Sequence, residues 1–492
     1  MRLFPVVFAL ATACRNEKSS PTDPTDPTDP TTETTGTTEI PTTEEVCDDG
    51  VDDDGDGETD TRDLDCLAPG ELQRATLLEG ALGVRLEAAT PPSTGGLAIL
   101  VGGGLRVDGQ EELAGSVETA AATLDARGTL LALHESEYDF NQHAFSSFTP
   151  DGEGGAIGIL WNGDRTTWDG EVLADTPGAT FLLSLGADGS ARAFTPAPGV
   201  GLSELSAPGA DGLRCVVAHH EAEVELDGTV YPVGAAGGVL LGLLGVDGTI
   251  SFVTGWPVEG QNAWHVARLA DGSCAVSGAF TPSVTIDGET WDDPDGHGDG
   301  LVGILEDDGR WRSRSHVQAF NYDLGVLAPA GDGFVVTGLG AIEVDGLVTG
   351  SGWLLDFRPT GAVRRSVAFV ALTYAAPTAV VADGDTLYLS VETYDGMEIR
   401  VDNTQTDVLP DWPDGTDLLL RLDADGTVAW ASALVQDEGS GLLVSHLALE
   451  GETLWVAGQI YGAGVDHLGV GGPNELRVAP NGGAGFVGFW AR

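Results

Sequence analysis

Ala270-Asp271-Gly272-Ser273-Cys274-Ala275-Val276-Ser277-Gly278-Ala279-Phe280, followed by Val284-Thr285-Ile286-Asp287-Gly288-Glu289-Thr290-Trp291, is the stretch on which the reading of the chain turns. Its pieces recur. The Asp of its first turn has counterparts at Asp151, Asp211, Asp332, Asp383 and, with Glu for Asp, Glu450, in steps of 60, 60, 61, 51 and 67 residues. A degenerate Thr94-Gly95 stands one step earlier. The apolar-Asp-Gly piece returns at Asp108, Asp169, Asp227, Asp287 and Asp345, with a degenerate Asp402-Asn403. A third turn marks Arg127-Gly128, Asp188-Gly189, Asp247-Gly248, Asp308-Gly309, Thr360-Gly361 and Asp425-Gly426. Together the three series delimit seven units, the last truncated. A period this long means that each unit is one supersecondary element burying its apolar faces only against its neighbours.

Within the units the apolar runs are short, alternate in polarity and stop at Asp-Gly or Gly-Gly. That is strand-and-turn chemistry, and no stretch reads as a long amphipathic helix. In the fourth unit the strands fall at 264–269, 273–280, 300–305 and 310–317, with 284–291 as a small hairpin between the second and third. Four short antiparallel strands repeated in seven units predict an all-β chain, a seven-bladed β-propeller over residues 70–492. The last unit ends at Arg492 without its fourth strand, whereas residues 73–79 alternate like a fourth strand that has no unit of its own. This N-terminal outer strand is expected to pair beside 486–490 and close the ring, because an open ring leaves an unpaired edge. The segment Leu418 to Trp430, Leu-Leu-Leu-Arg-Leu-Asp-Ala-Asp-Gly-Thr-Val-Ala-Trp, resembles the repeats of bacterial extracellular propellers. The resemblance implies a cell-surface propeller and no particular activity.

Three shorter regions precede the repeats. Residues 1–14 carry one positive charge, a short apolar run and small residues before Cys14, the composition of an export signal and far too short to span a bilayer. They resemble a bacterial lipoprotein signal, which implies that Cys14 carries the lipid and that the chain sits at the outer membrane; secretion after an ordinary signal cleavage is the alternative. Residues 15–46 are Thr, Pro, Asp and Glu with almost nothing to bury, a disordered linker by composition. Extended as Pro-rich chain, it reaches up to roughly 80 Å. From Asp52 as loop position 1, carboxylates fall at Asp54, Asp56, Asp60 and Asp63, with Gly57 at the sharp turn and Glu58 offering its carbonyl, a spacing that suits calcium. Position 12 is Asp rather than Glu, and Cys47 and Cys66 bracket the loop where an EF-hand has helices. In an oxidising compartment the two cysteines are expected to join. Residues 47–66 resemble the Cys-bracketed, Asp-rich calcium motifs of secreted myxobacterial proteins.

The chain has 22 Lys and Arg against 77 Asp and Glu, a formal net charge of −55, and a single lysine, Lys18. So acidic a surface repels phosphate backbones, which sets nucleic acid aside as a partner and leaves the membrane to be met through the lipid alone. Cys215 and Cys274, 59 residues apart in corresponding strands, read as two buried free thiols. The adjacent His219 and His220 face opposite sides of a strand and cannot easily share an ion. The acidic loop 292–299 lacks the alternating spacing of a calcium site and reads as solvated. Trp168, Trp291 and Trp412 fall in loops expected on one face, where aromatic rings meet a glycan or protein or else plug the gaps between blades. No catalytic motif recurs or stands out. The expected protein is a monomeric, lipid-anchored binding or interaction module with a calcium-binding base and an unnamed protein or polysaccharide partner. The alternative is an extracellular carbohydrate-active enzyme, a lyase or hydrolase, which requires a cluster of acid, base and Arg or Tyr on one face; a passive spacer in a surface coat is a third reading.

Overall fold

The computed structural model describes residues 67–492 apart from 81–84, 91–95, 102–104, 108–118, 125–129, 137–144, 152–154, 163–165, 170, 175–178, 198, 260–261, 294–295, 297, 345–346, 349–351, 372–373, 395, 403, 410–415, 436–439, 463–465, 469–475 and 479–481. The described residues form strands and no helix. In the fourth unit Asn262–Arg268, Cys274–Phe280, Asp299–Leu305 and Trp311–Ala330 pair antiparallel in chain order.

The recurring turns explain this regularity. After Asn262–Arg268 the Leu269 N–H donates to Ser273 O at 2.9 Å, while the Ser273 N–H and Oγ donate to Asp271 Oδ1 at 3.0 and 2.6 Å. An Asp side chain thus ties down the backbone two residues on. The same device recurs as Ser190 on Asp188, Thr249 on Asp247 and Thr427 on Asp425. Of the apolar-Asp-Gly series, Asp227-Gly228 and Asp287-Gly288 form hairpin turns in which both central residues have positive φ, 50° and 77° at the first, 52° and 78° at the second. Asp tolerates that region and Gly has no Cβ to oppose it, so the pair fixes a tight primed turn. Gly278 is needed for a different reason, since the Trp264 ring lies where its Cβ would stand, 2.1 Å away.

The sheets are arranged as a β-propeller. The first strands of the units, Arg85–Thr90, Phe145–Pro150, Gly201–Leu205, Asn262–Arg268, the second part of Trp311–Ala330, Ala375–Asp383 and Ser440–Glu450, each pack on the next, and the series returns from Ser440–Glu450 to Arg85–Thr90. Among the described residues six sheets have four strands or more. One of them has ten, because Trp311–Ala330 runs unbroken from the outer edge of one strand set to the inner edge of the following one. Apolar side chains alternate between the two faces of each strand. Val216 and Ala218 pack toward the preceding sheet, Cys215 and Val217 toward the following one.

Leu72–Gly80 pairs antiparallel with Gly482–Ala491, in a register from Leu72 opposite Trp490 to Glu79 opposite Ala484. Leu72, Leu78 and Trp490 are fully buried. The hairpins between second and third strands reach outside their own unit. Met397–Val401 pairs with Val363–Ala371, and Leu105–Val107 with Leu72–Gly80. Val284 bridges to Val258, and His467 pairs with Val435. Each of these four hairpins thus leans on chain that precedes its own unit.

Cys215 and Cys274 are joined in a disulfide, with Cα atoms 6.0 Å apart, which corrects the expectation of free thiols. That expectation treated the two positions as equivalent. The turns that set the register, Asp211 and Asp271, are 60 residues apart and the cysteines 59, so Cys215 corresponds to Ala275. One residue of offset turns a side chain to the other face of its strand. Cys215 looks forward and Cys274 backward, into the same seam with Val217, Trp264 and Val276.

Candidate binding site

Of the residues singled out in the sequence, Cys14, the calcium loop Asp52, Asp54, Asp56, Glu58, Asp60 and Asp63 with its brackets Cys47 and Cys66, and Trp412 lie outside the described residues. Trp168 is 3% exposed among Ala156, Leu160, Leu183 and Leu185, so it fills a seam and offers no face to a partner. Trp291 is partly exposed and lines an open groove of about 600 Å³ with Asp287, Glu289, Trp311 and Arg314. Its ring is engaged within the protein, parallel to His316 at 5.4 Å and 7° and under the Arg314 guanidinium at 5.8 Å. His219 and His220 stand opposite Val239 and Gly238, and His220 Nδ1 meets Ala222 O at 2.7 Å. Among the described residues no group of three or more His, Cys, Asp and Glu is placed to hold a metal ion, and no helix is long and apolar enough to cross a membrane.

The end of the propeller that carries the Asp turns is a lattice of ion pairs. Arg268, its side chain wholly buried, donates to Asp211 of the preceding unit at 2.7 Å and to Asp307 at 2.6 Å. Arg312 reaches Asp271 at 2.6 Å and Glu306 at 2.7 Å. Arg364 pairs with Asp332 and Asp385, and Arg492 with Asp383. Burial alone pushes the Arg268 guanidinium down, but its hydrogen bonds to Asp307 and Asp211 outweigh that and raise the group above its usual range. These arginines are matched by carboxylates of the protein itself, so this end is a structural clamp between units.

The opposite end of the inner strands offers something different. All the inner strands but Asn262–Arg268 carry an irregularity that pushes residues out of the ladder, among them those between Leu324 and Leu327, between Pro377 and Ala379, and between Val444 and His446. The residues so displaced, Gly325, Thr378 and Ser445, all line one pocket of about 320 Å³. Bulges commonly re-aim side chains beside functional sites. Tyr374, Pro377, Glu392 and Leu443 are among the other residues of its wall. Glu392 accepts a hydrogen bond from Tyr394 Oη at 2.9 Å, and the Tyr374 and Tyr394 rings are tilted by 52° with centroids 5.6 Å apart.

Directly across the ladder from Glu392 is Asp417, fully buried. Its Oδ2 accepts from the Val444 N–H at 3.0 Å, a bond across to the next inner strand. Burial, reinforced by the charge of Glu392, raises the Asp417 carboxyl well above the ordinary range. Nearby His446, whose Nδ1 lies 2.8 Å from Ser445 Oγ, is pushed down to about 4 by desolvation. The pocket thus has one carboxylate in its lining, Glu392, with the neutral imidazole of His446 nearby.

None of these residues was singled out in the sequence, although a signal was there. At this place in the other third strands stand Thr119, Thr180, Val239, Gly300, Gly352 and Gly485, and the sixth unit, with Asp417, is the one that has a charged residue there.

No protein-family model matches the chain, and neither does any curated protein. Among solved structures it is similar to prolyl oligopeptidase B from Galerina marginata, at 11% identity and a TM-score of 0.41 over 82% of this chain and 52% of that one. It is also similar to apo AztD from Citrobacter koseri, at 10% identity and 0.33 over 85% and 99%. A third likeness is to Sqt1 from Chaetomium thermophilum, at 12% and 0.33 over 87% and 91%. At these scores the likenesses bear on neither activity nor ligand.

Proposed function

We propose that the chain is a ligand-binding propeller of seven blades, held at the cell surface by a lipid on Cys14 and carried on the linker 15–46, with a calcium-binding base at 47–66. The ten-stranded sheet counts as two blades that share Trp311–Ala330, and the N-terminal strand serves as the outer strand of the last blade. Two facts support that closure: the register of Leu72–Gly80 on Gly482–Ala491, and the hairpin strand Leu105–Val107, which leans on Leu72–Gly80 as other hairpins lean on outer strands. The spacing of the Asp residues and their cysteine brackets supports the calcium base, and the leader composition supports the anchor.

The observation that carries the binding reading is the pocket in which three bulged inner strands converge on Glu392. Its volume lies at the lower end of the range for small-ligand sites. At the other end the arginines of the ion pairs are answered by carboxylates, and the Trp291 ring is stacked within the protein. The partner is a protein or polysaccharide that presents a small group to this pocket. The enzymatic alternative draws support from Glu392, Asp417 and Tyr374 gathering in one place, but Asp417 stands behind the wall and does not line the pocket. A second exposed acid is therefore lacking among the lining residues.

The test is capture from glycan arrays and surface extracts by the full chain, beside a Thr378→Trp variant that fills the pocket. Partners held by the parent and lost by the variant support the reading; an unchanged set of partners overturns it. Titration with calcium and with EDTA, using Asp54→Asn, tests the base separately.

A further inference from the structure

The lining of the inner pocket selects among ligand chemistries. Its polar contributions are Glu392, Tyr374, Thr378 and Ser445, and the remainder is Gly, Ala, Pro, Leu and Val. No Arg or Lys lines it, and among the described residues no cation pairs with Glu392. This contrasts with the ion-pair lattice at the other end, where carboxylates are answered by Arg268, Arg312, Arg364 and Arg492. A carboxylate without a cation among the described residues, held in place by the Tyr394 hydroxyl and sharing its pocket with the Tyr374 ring, is the arrangement that attracts an organic cation. An anionic ligand such as a uronate meets repulsion there and has no guanidinium to receive it.

We propose that this pocket binds a small organic ammonium group, free or displayed on a larger partner, with Glu392 as counter-ion and Tyr374 as the aromatic wall. The inference rests on the binding reading above and names the chemistry of that site. Tyr394 positions Glu392 through its hydroxyl, and Asp417 stiffens the wall from behind by holding the Val444 N–H. Because Asp417 is held uncharged by burial, it adds shape and no second charge. The apolar Pro377 and Leu443 suit the methyl or methylene groups that surround such a nitrogen.

The probes are choline, tetramethylammonium and 3,3-dimethyl-1-butanol, the last matching choline in shape without its charge. Binding to the full chain is measured by calorimetry at 150 mM salt, to suppress diffuse attraction to an acidic surface. Choline is expected to bind at least about tenfold more tightly than its neutral counterpart, and Glu392→Gln to erase that preference. Tyr374→Ala weakens both cations, whereas Glu221→Gln, an exposed acid elsewhere, changes nothing. The proposal fails if the neutral alcohol binds as well as choline, if Glu221→Gln weakens choline as much as Glu392→Gln, or if the folded parent binds neither cation. If Thr378→Trp still abolishes capture of a partner in any of these cases, the binding reading stands and only the ammonium assignment falls.

Discussion

Replacing Cys215 or Cys274 probes the staple between the third and fourth units, and its magnitude follows from chain length. The bond closes a loop with a sequence separation of 59 residues. Restricting the unfolded chain over a loop of that size contributes about 4 kcal/mol at 25 °C on the chain-entropy relation. Cys215→Ala alone removes all of it, and so does Cys274→Ala, since either substitution leaves no bond. The double variant should therefore lose little more than each single variant, with a coupling energy near the full value of the bond, about 4 kcal/mol, rather than the near-zero coupling of independent sites. Urea unfolding followed by tryptophan fluorescence measures the three losses, and peptide mapping without reductant identifies the linked pair. Single losses of about 1 kcal/mol that simply add, together with unlinked peptides, would refute the reasoning and return the cysteines to the status of buried thiols.

Leu72 is fully buried against the last sheet, so Leu72→Ala should cost about 2–5 kcal/mol in the same unfolding assay; a loss under about 0.5 kcal/mol would mean that the strand contributes little to closing the body. Hydrogen bonds from Ser190 and Thr427 hold the carboxyls of Asp188 and Asp425 below their ordinary value of 3.8. Their contribution is complete above that value and is lost as pH falls through the lower folded range, so Asp188→Asn with Asp425→Asn should flatten the acid limb of a stability profile. Asp417 has the opposite sign. Its raised carboxyl keeps a proton that the unfolded chain releases near 3.8, so its ionisation penalty grows as pH rises from there toward the folded value. Asp417→Asn keeps an acceptor for Val444 and should gain on the parent with rising pH; a pH-independent difference between the two would contradict the assignment.

The turns are legible in the sequence because their chemistry is local. Asp-Gly at Asp227 and Asp287 is demanded by two positive φ angles in succession, and Asp271 and Asp425 by the backbone donors two residues on. The strand edges follow, and so does the lone N-terminal strand, whose alternation lacks a unit. Pairings between units are not legible. Nothing in Met397–Val401 says that it will lie on Val363–Ala371 rather than on its own sheet, because that choice depends on how closely neighbouring sheets stand. The disulfide turns on one residue. A step of 59 passes for a full period where the neighbouring turns step by 60, and in a strand that difference decides which seam a side chain enters.

The pocket is hidden for a different reason: attention to what recurs passes over the place where one unit departs. At Gly352 a Cβ would stand 2.2 Å from Ala375 O of the next inner strand, so glycine is required there for those two strands to approach. The sixth unit has Asp417 at the matching place, opposite Glu392 as Gly352 is opposite Leu339. Here the next inner strand offers the side chain a backbone N–H at Val444, beside the irregularity that sets Ser445 in the pocket wall. Burying a carboxyl costs free energy even when the group is neutral and bonded, and the glycine at Gly300 and Gly352 avoids that cost. The sixth unit thus gives up local stability beside the gap that Glu392 lines, which is the place the proposed binding would use.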